Sequence, residues 1–121
     1  MAAGSIRLRR AYDAAGDDDG YRVLVDRLWP RGVRRDDLHI DEWCKDLAPS
    51  TELRRWFGHD PARWDEFRAR YRVELADHPD VARLADLART RPITLVYSAS
   101  DTEHNQAVVL REVLDEAIDP S

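Results

Sequence analysis

DGYRVLVDRLWPRG, residues 19–32, decides how the rest of the chain is read. Val23, Leu24 and Val25 are consecutive and apolar. That pattern suits a strand covered on both faces, central in a sheet with helices packed on it. YRVLVDRL reads as one strand, yet it runs into Asp26 and Arg27. Trp29-Pro30 then disfavours helix, and Gly32 permits a turn. A buried strand that ends in charge, an indole and a stiffened arginine-bearing turn is a strand whose end meets solvent and ligand.

On the N-terminal side, Ile6 and Leu8 alternate with Arg7 and Arg9, the period of a half-exposed strand. DAAGDDDG, residues 13–20, is turn chemistry. Asp17, Asp18 and Asp19 read as a solvated loop tip, with Mg²⁺ chelation as the sharper alternative. On the C-terminal side, LHIDEWCKDLAPS, residues 38–50, fits either a short strand or an irregular helix. Ser50 is placed to cap a short helix through Phe57 that ends near Gly58. Asp60-Pro61 marks a second helix start, followed by an inward stripe of Trp64, Phe67, Tyr71 and Leu75. Glu66, Arg70 and Glu74 stand four apart on its wet side. Pro79 opens a third helix, with Val81, Leu84, Ala85 and Ala88 inward. PITLVYSAS reads as a strand centred on residues 93–97. SDTE, residues 100–103, matches a capping box for a last helix over 101–118 that packs through Ala107, Leu110, Leu114 and Ala117.

Strand, strand, helices, strand and helix make a small α/β fold: a mostly parallel open sheet with helices on it. The chain is expected to be a single domain over residues 1–121, with its core at about 6–118. The 121 residues bury roughly two thirds of the surface the unfolded chain would expose.

Charged residues make up 36% of the chain, against ~25% in typical domains, but the signs are mixed. Arginine supplies all but one of the 19 basic residues; Lys45 is the exception. Arginines outnumber acids over residues 1–35 and acids dominate afterwards, for a net charge of −5. An acidic whole argues against non-specific grip on nucleic acid or an anionic membrane, whereas a local basic patch suits a small anion. The single cysteine excludes an internal disulfide and a thiolate zinc cluster. No apolar run approaches the ~20 residues of a membrane helix. MAAGSIRLRR lacks a signal peptide's apolar core. A cytoplasmic protein is expected.

If the strands beginning at Gly20 and Pro92 are parallel, both finish at one sheet edge, where open α/β sheets bind ligands. One side presents Asp26, Arg27, Trp29 and Arg31. The other presents Tyr97, Ser98, Ser100 and Asp101, with His104 and Asn105 one turn on. A helix opening at Ser100 would offer free N–H groups to an anion, although Asp101 competes for the same field. Arg27 and Arg31 are the expected anion clamp. Asp26 is either a general base or an anchor for the following turn. Trp29 is either a pocket wall or a hydrophobic plug. His104, three after Asp101, is either a proton carrier or a hydrogen-bonded surface group. No base is placed by spacing to activate Cys44, which is expected to be a buried, inert thiol. No metal site is expected from His39, His59 and His78.

DGYRVLVDRLWPRG, DEWCKDLAPSTELRRWFGHD, FRARYRVEL and TLVYSASDTEHNQAVVL together resemble the YeaO-like branch of the DUF488 family, over about Ile6 to Leu114. The resemblance implies a compact α/β domain of a bacterial cytoplasmic protein. It supplies no substrate, cofactor or catalytic residue. Longer members of the wider family carry a cysteine near the last strand; here Ser98 and His104 stand there instead, so a thiol mechanism does not carry over. Two readings follow from the residues: an enzyme on a phosphorylated or nucleotide-like small molecule, or a non-catalytic sensor or binding module with the same pocket. A nucleic-acid binder using Arg34 and Arg35 is the third. The sequence leaves oligomeric state open.

Overall fold

The computed structural model describes residues 6–119. Four strands form one sheet: β1 (Ile6–Arg10), β2 (Tyr21–Leu24), β3 (Glu42–Trp43) and β4 (Ile93–Tyr97). Their order is β1-β4-β2-β3, and every pairing is parallel. Ile93 lies opposite both Ile6 and Tyr21, so β4 runs between the two N-terminal strands. All five residues of β4 are buried, as an unbroken apolar run with neighbours on every side requires.

The two faces of the sheet are covered differently. Side chains alternate along a strand, so Val23 and Val25 share one face with Ile93, Leu95 and Tyr97. That face carries α2 (Thr51–Phe57), α3 (Trp64–Leu75), α4 (Pro79–Ala88) and α5 (Gln106–Ile118). Phe67, Tyr71, Leu75, Leu84, Leu110 and Leu114 are their buried anchors. Among the described residues, the opposite face has no long helix. Leu24 and Val96 are covered there by Leu38 of the single-turn α1 (Arg35–Leu38), by Ala11 and by the Trp29–Trp43 pair.

The local signals hold where they were strongest. The Ser50 hydroxyl accepts the Leu53 amide at 3.1 Å, and α2 stops at Gly58 with φ +53. Asp60 caps a 3₁₀ turn at Pro61–Arg63 that leads into α3. Pro79 opens α4, whose inward residues are those the spacing implies. Glu66 pairs with Arg70. Glu74 instead reaches back to Ser50, accepting its amide at 2.8 Å and its hydroxyl at 2.6 Å.

Three expectations are overturned. β2 stops at Leu24, and its last ladder bond is Val25 N–H to the Val96 carbonyl at 3.0 Å; Leu28 lies outside the strand and is 67% exposed. The SDTE box does not cap a helix. Asp101 folds back on its own turn, and α5 starts five residues later, where the Asn105 side chain accepts the Val108 amide at 3.2 Å. Asp19 is not solvated at all. It is 1% exposed and bonds the Arg22 guanidinium at 2.5 Å, the Arg9 Nε at 2.7 Å and the Gly16 amide at 2.9 Å. Asp17 and Asp18 are exposed. Residues 38–50 contain the two-residue β3 and then a 3₁₀ turn at Lys45–Leu47, so both alternatives occur in short form after the α1 turn that ends at Leu38. Among the described residues, no helix is long and apolar enough to cross a membrane.

Candidate functional site

Parallel pairing of β2 and β4 brings their carboxyl ends together, and a cleft of about 900 Å³ opens there. Asp26 and Ser98 meet across it. The Asp26 carboxylate accepts the Ser98 amide at 2.9 Å, the Ser98 hydroxyl at 2.5 Å and the Gln106 amide group. Burial raises its pKa above the usual carboxylate range; these donors and the nearby Arg54 offset only part of that. These bonds run to the end of β4 and the start of α5, not to the turn of residues 29–32. A further bond, from Trp43 Nε1 to the Asp26 carbonyl at 2.8 Å, ties in the edge strand.

Trp29 packs against the buried cluster of Leu24, Leu38 and Val96. It lines the cleft, while its Nε1 donates to the Val33 carbonyl at 2.7 Å. Its ring meets Trp43 edge-on at 5.4 Å and carries the Arg35 guanidinium at 4.8 Å. The turn that follows holds Arg31 exposed at the cleft, with the Arg31 carbonyl accepting the Tyr12 hydroxyl at 3.1 Å.

On the β4 side, Ser100, Asp101, His104 and Asn105 line the cleft, as expected. Asp101 is engaged by its own turn. Its carboxylate accepts the Glu103 and His104 amides at 2.9 and 3.0 Å and contacts His104 Nδ1 at 3.0 Å. Those amides, with the imidazole, hold its pKa below the usual range. The His104 ring edge rests on Trp64 at 5.3 Å. Asn105 is buried and serves as the α5 cap, also donating to the Asp101 carbonyl at 2.8 Å. Tyr97 is a correction: it is 3% exposed, turned into the helix-covered core and absent from the cleft lining. The anion site at a helix opening on Ser100 is likewise absent, because no helix opens there.

The cleft also contains residues that sequence reasoning passed over: Arg10, Tyr12, Arg54, Arg55, His59 and Gln106. Arg54 and Arg55 arrive from α2, and no local motif marks them. Arg10 ends β1, its Nε bonded to the Ala99 carbonyl at 3.0 Å. Together with Arg27 and Arg31 they make five arginines on one cleft. Arg9, Arg22, Arg68, Arg72 and Arg83 elsewhere are ion-paired. Among the described residues, none of the five in the cleft makes a direct ion pair with a carboxylate, although Arg54 lies near enough to Asp26 to lower its pKa. Arg27 Nε is buried with no hydrogen-bond partner. Guanidinium groups left unpaired in a concave site suit phosphate or carboxylate, which match their fork geometry.

A second hollow, of about 330 Å³, lies against β3 and contains Cys44. There Arg83 pairs with Glu42 and Asp80, and Lys45 lies over the Trp43 ring at 4.1 Å. Cys44 is 6% exposed, and burial together with the Asp80 carboxylate pushes its thiol up to about 12. Native protein at pH 8 should resist iodoacetamide, while urea-unfolded protein labels fully; mass spectrometry reads the difference. Rapid native alkylation would contradict an inert thiol. No group of three or more His, Cys, Asp or Glu is placed to hold a metal among the described residues.

A family model described as "Inactive DUF488-N3 subclade" matches residues 5–121. Over 111 residues the chain is 50% identical to "Uncharacterized protein YeaO" of Escherichia coli, covering 91% of this chain and 96% of that one. It is 44% identical over 110 residues to "Uncharacterized protein Rv3073c" of Mycobacterium tuberculosis and to "Uncharacterized protein Mb3100c" of Mycobacterium bovis, covering 91% of this chain and 93% of each. No solved structure matches. The chain belongs to the DUF488 family, within the group described as its inactive DUF488-N3 subclade.

Proposed function

We propose that the protein is a non-catalytic binding module for a phosphorylated or nucleotide-like small anion, taken up at the carboxyl edge of the sheet. The observation that carries this reading is the set of five cleft arginines that make no direct ion pair in a chain of net charge −5. Arg27, Arg31 and Arg54 are the ligand's main contacts. Trp29 walls the site. Ser98 and Asn105 brace it through Asp26 and α5. The subclade's description as inactive agrees with a receptor rather than a catalyst.

An enzyme acting on the same ligand class is the second reading. It draws support from the Ser98 hydroxyl lying 2.5 Å from a carboxylate whose pKa burial has raised. It asks Asp26 to move a proton while holding three donors, and Asp101 and His104 to leave each other.

Calorimetric titration with orthophosphate, AMP and ADP tests both readings. Each hydrogen bond to a charged ligand is worth ~1.5–3 kcal/mol. Arg27→Gln and Arg54→Gln should therefore each weaken binding about 10- to 100-fold, with the melting temperature nearly unchanged. Failure of every anion to bind wild type, or full affinity in both variants, would remove the proposed site. Ligand turnover followed by ³¹P NMR over hours, lost in Asp26→Asn while binding persists, would replace the receptor reading with the enzyme.

A further inference from the structure

The cleft's charge and shape narrow the ligand further. Five guanidinium groups face two carboxylates, Asp26 and Asp101, an excess of three arginines over acids. Both carboxylates are already bonded by protein donors. The excess is therefore left for a ligand. One monoanionic group would leave most of it unmatched, while neighbouring phosphate groups would answer it.

The cleft is also larger than such a headgroup. About 900 Å³ lies near the upper end of the ~300–1,000 Å³ typical of small-molecule sites. The exposed large hydrophobics among the described residues are Tyr12 at 48%, Leu28 at 67% and Val73 at 76%. Tyr12 and Leu28 both border this cleft. Leu28 sits between Arg27 and Trp29, just beyond the strand end, where nothing in the fold covers it. Pro30, Pro49 and Phe57 add apolar wall beside the arginines. Bare apolar surface at the lip of this concave basic site is available to the uncharged part of a ligand.

Building on the binding-module reading, we infer that the ligand is a diphosphate ester: a diphosphate headgroup among the arginines and an apolar or aromatic body against Leu28 and Tyr12. Nucleoside diphosphates and alkyl diphosphates share this chemistry, and the experiment separates them.

Wild-type protein is titrated calorimetrically with orthophosphate, pyrophosphate, ADP and dimethylallyl diphosphate in one buffer. Pyrophosphate should bind at least about tenfold tighter than orthophosphate, one extra charge-assisted contact. At least one ester should bind at least about tenfold tighter than pyrophosphate. The preferred ester identifies the body as a heterocycle or a hydrocarbon. Leu28→Ser changes an exposed side chain, and it should remove the ester's advantage while leaving pyrophosphate affinity in place. Orthophosphate binding as tightly as pyrophosphate overturns the diphosphate assignment, and esters no tighter than pyrophosphate overturn the apolar body. Either result leaves the anion site standing. Absence of binding by all four compounds removes the site itself.

Discussion

An Asp19→Ala chain is expected to lose about 3–5 kcal/mol of unfolding free energy, the usual cost of stranding one member of a buried ion pair. Arg22 is 4% exposed. Its Nε and Nη2 bond the His39 and Leu38 carbonyls at 3.0 Å, and its Nη1 bonds Asp19. Asp19 supplies the only carboxylate paired with that guanidinium among the described residues. Its own carbonyl accepts the Thr94 hydroxyl at 2.8 Å. Against a total stability of about 5–15 kcal/mol, the loss is a large share. Asp17→Ala and Asp18→Ala, on exposed neighbours, should stay within about 0.5 kcal/mol of wild type. Urea unfolding midpoints at constant slope make the comparison. Three equal midpoints would refute the buried-pair account.

Asp19 also gives the pH dependence a sign. Burial opposes its ionisation, but Arg9, the Gly16 amide and Arg22 overcome that and hold its folded pKa below the ordinary value. A depressed carboxylate contributes stability above its unfolded pKa, about 3.9. That stability disappears as pH falls through the folded value. Wild type should therefore weaken below about pH 4 more steeply than Asp19→Ala, which has already lost the pair.

Gly20→Ala should cost about 2–5 kcal/mol, the sum of a conformational and a packing penalty. Gly20 has φ +67, a left-handed conformation worth ~1–2 kcal/mol against a side chain. A Cβ there would also press on the Pro92 carbonyl oxygen and stand 2.9 Å from Pro92 C and Cγ. Backbone cannot yield as a flexible side chain would, so overpacking of ~1–3 kcal/mol adds to the strain. The same carbonyl accepts the Tyr21 amide at 3.0 Å, so the clash falls on the first rung between β2 and β4. Gly32→Ala separates the two effects: φ is +80, but no atom lies within 4 Å of where its Cβ would stand. It should cost only the ~1–2 kcal/mol of conformation. Equal losses at Gly20 and Gly32 would show that contact with Pro92 is immaterial.

The parts of the fold legible in advance are those governed by nearby residues. Ser50, Asp60-Pro61 and Pro79 start helices through atoms two or three residues away, so spacing suffices. The stripe of Phe67, Tyr71 and Leu75 follows from helical period alone. The SDTE reading fails through competition. Asp101 and Asn105 both carry capping groups, and the closed turn of Asp101 with Glu103 and His104 leaves the cap to Asn105. The burial of Arg22 is hidden from its own strand, because its partners come from a loop before it and carbonyls well after it. The convergence of Asp26 with Ser98 is readable from parallel pairing. That of Arg54, Arg55 and Gln106 is not, because only tertiary packing brings α2 and the start of α5 to the sheet edge.

The strand order has a consequence for how the chain is made. β4 is the ladder partner of β1 and of β2 alike, yet it is encoded after four of the five helices. A nascent chain that has emerged only to Thr90 holds β1 and β2 with the strip between them missing. Contacts so distant along the chain slow the search for the native state, and unpaired strand edges exposed meanwhile invite association with other chains. Folding of this sheet therefore waits for the arrival of residues 93–97.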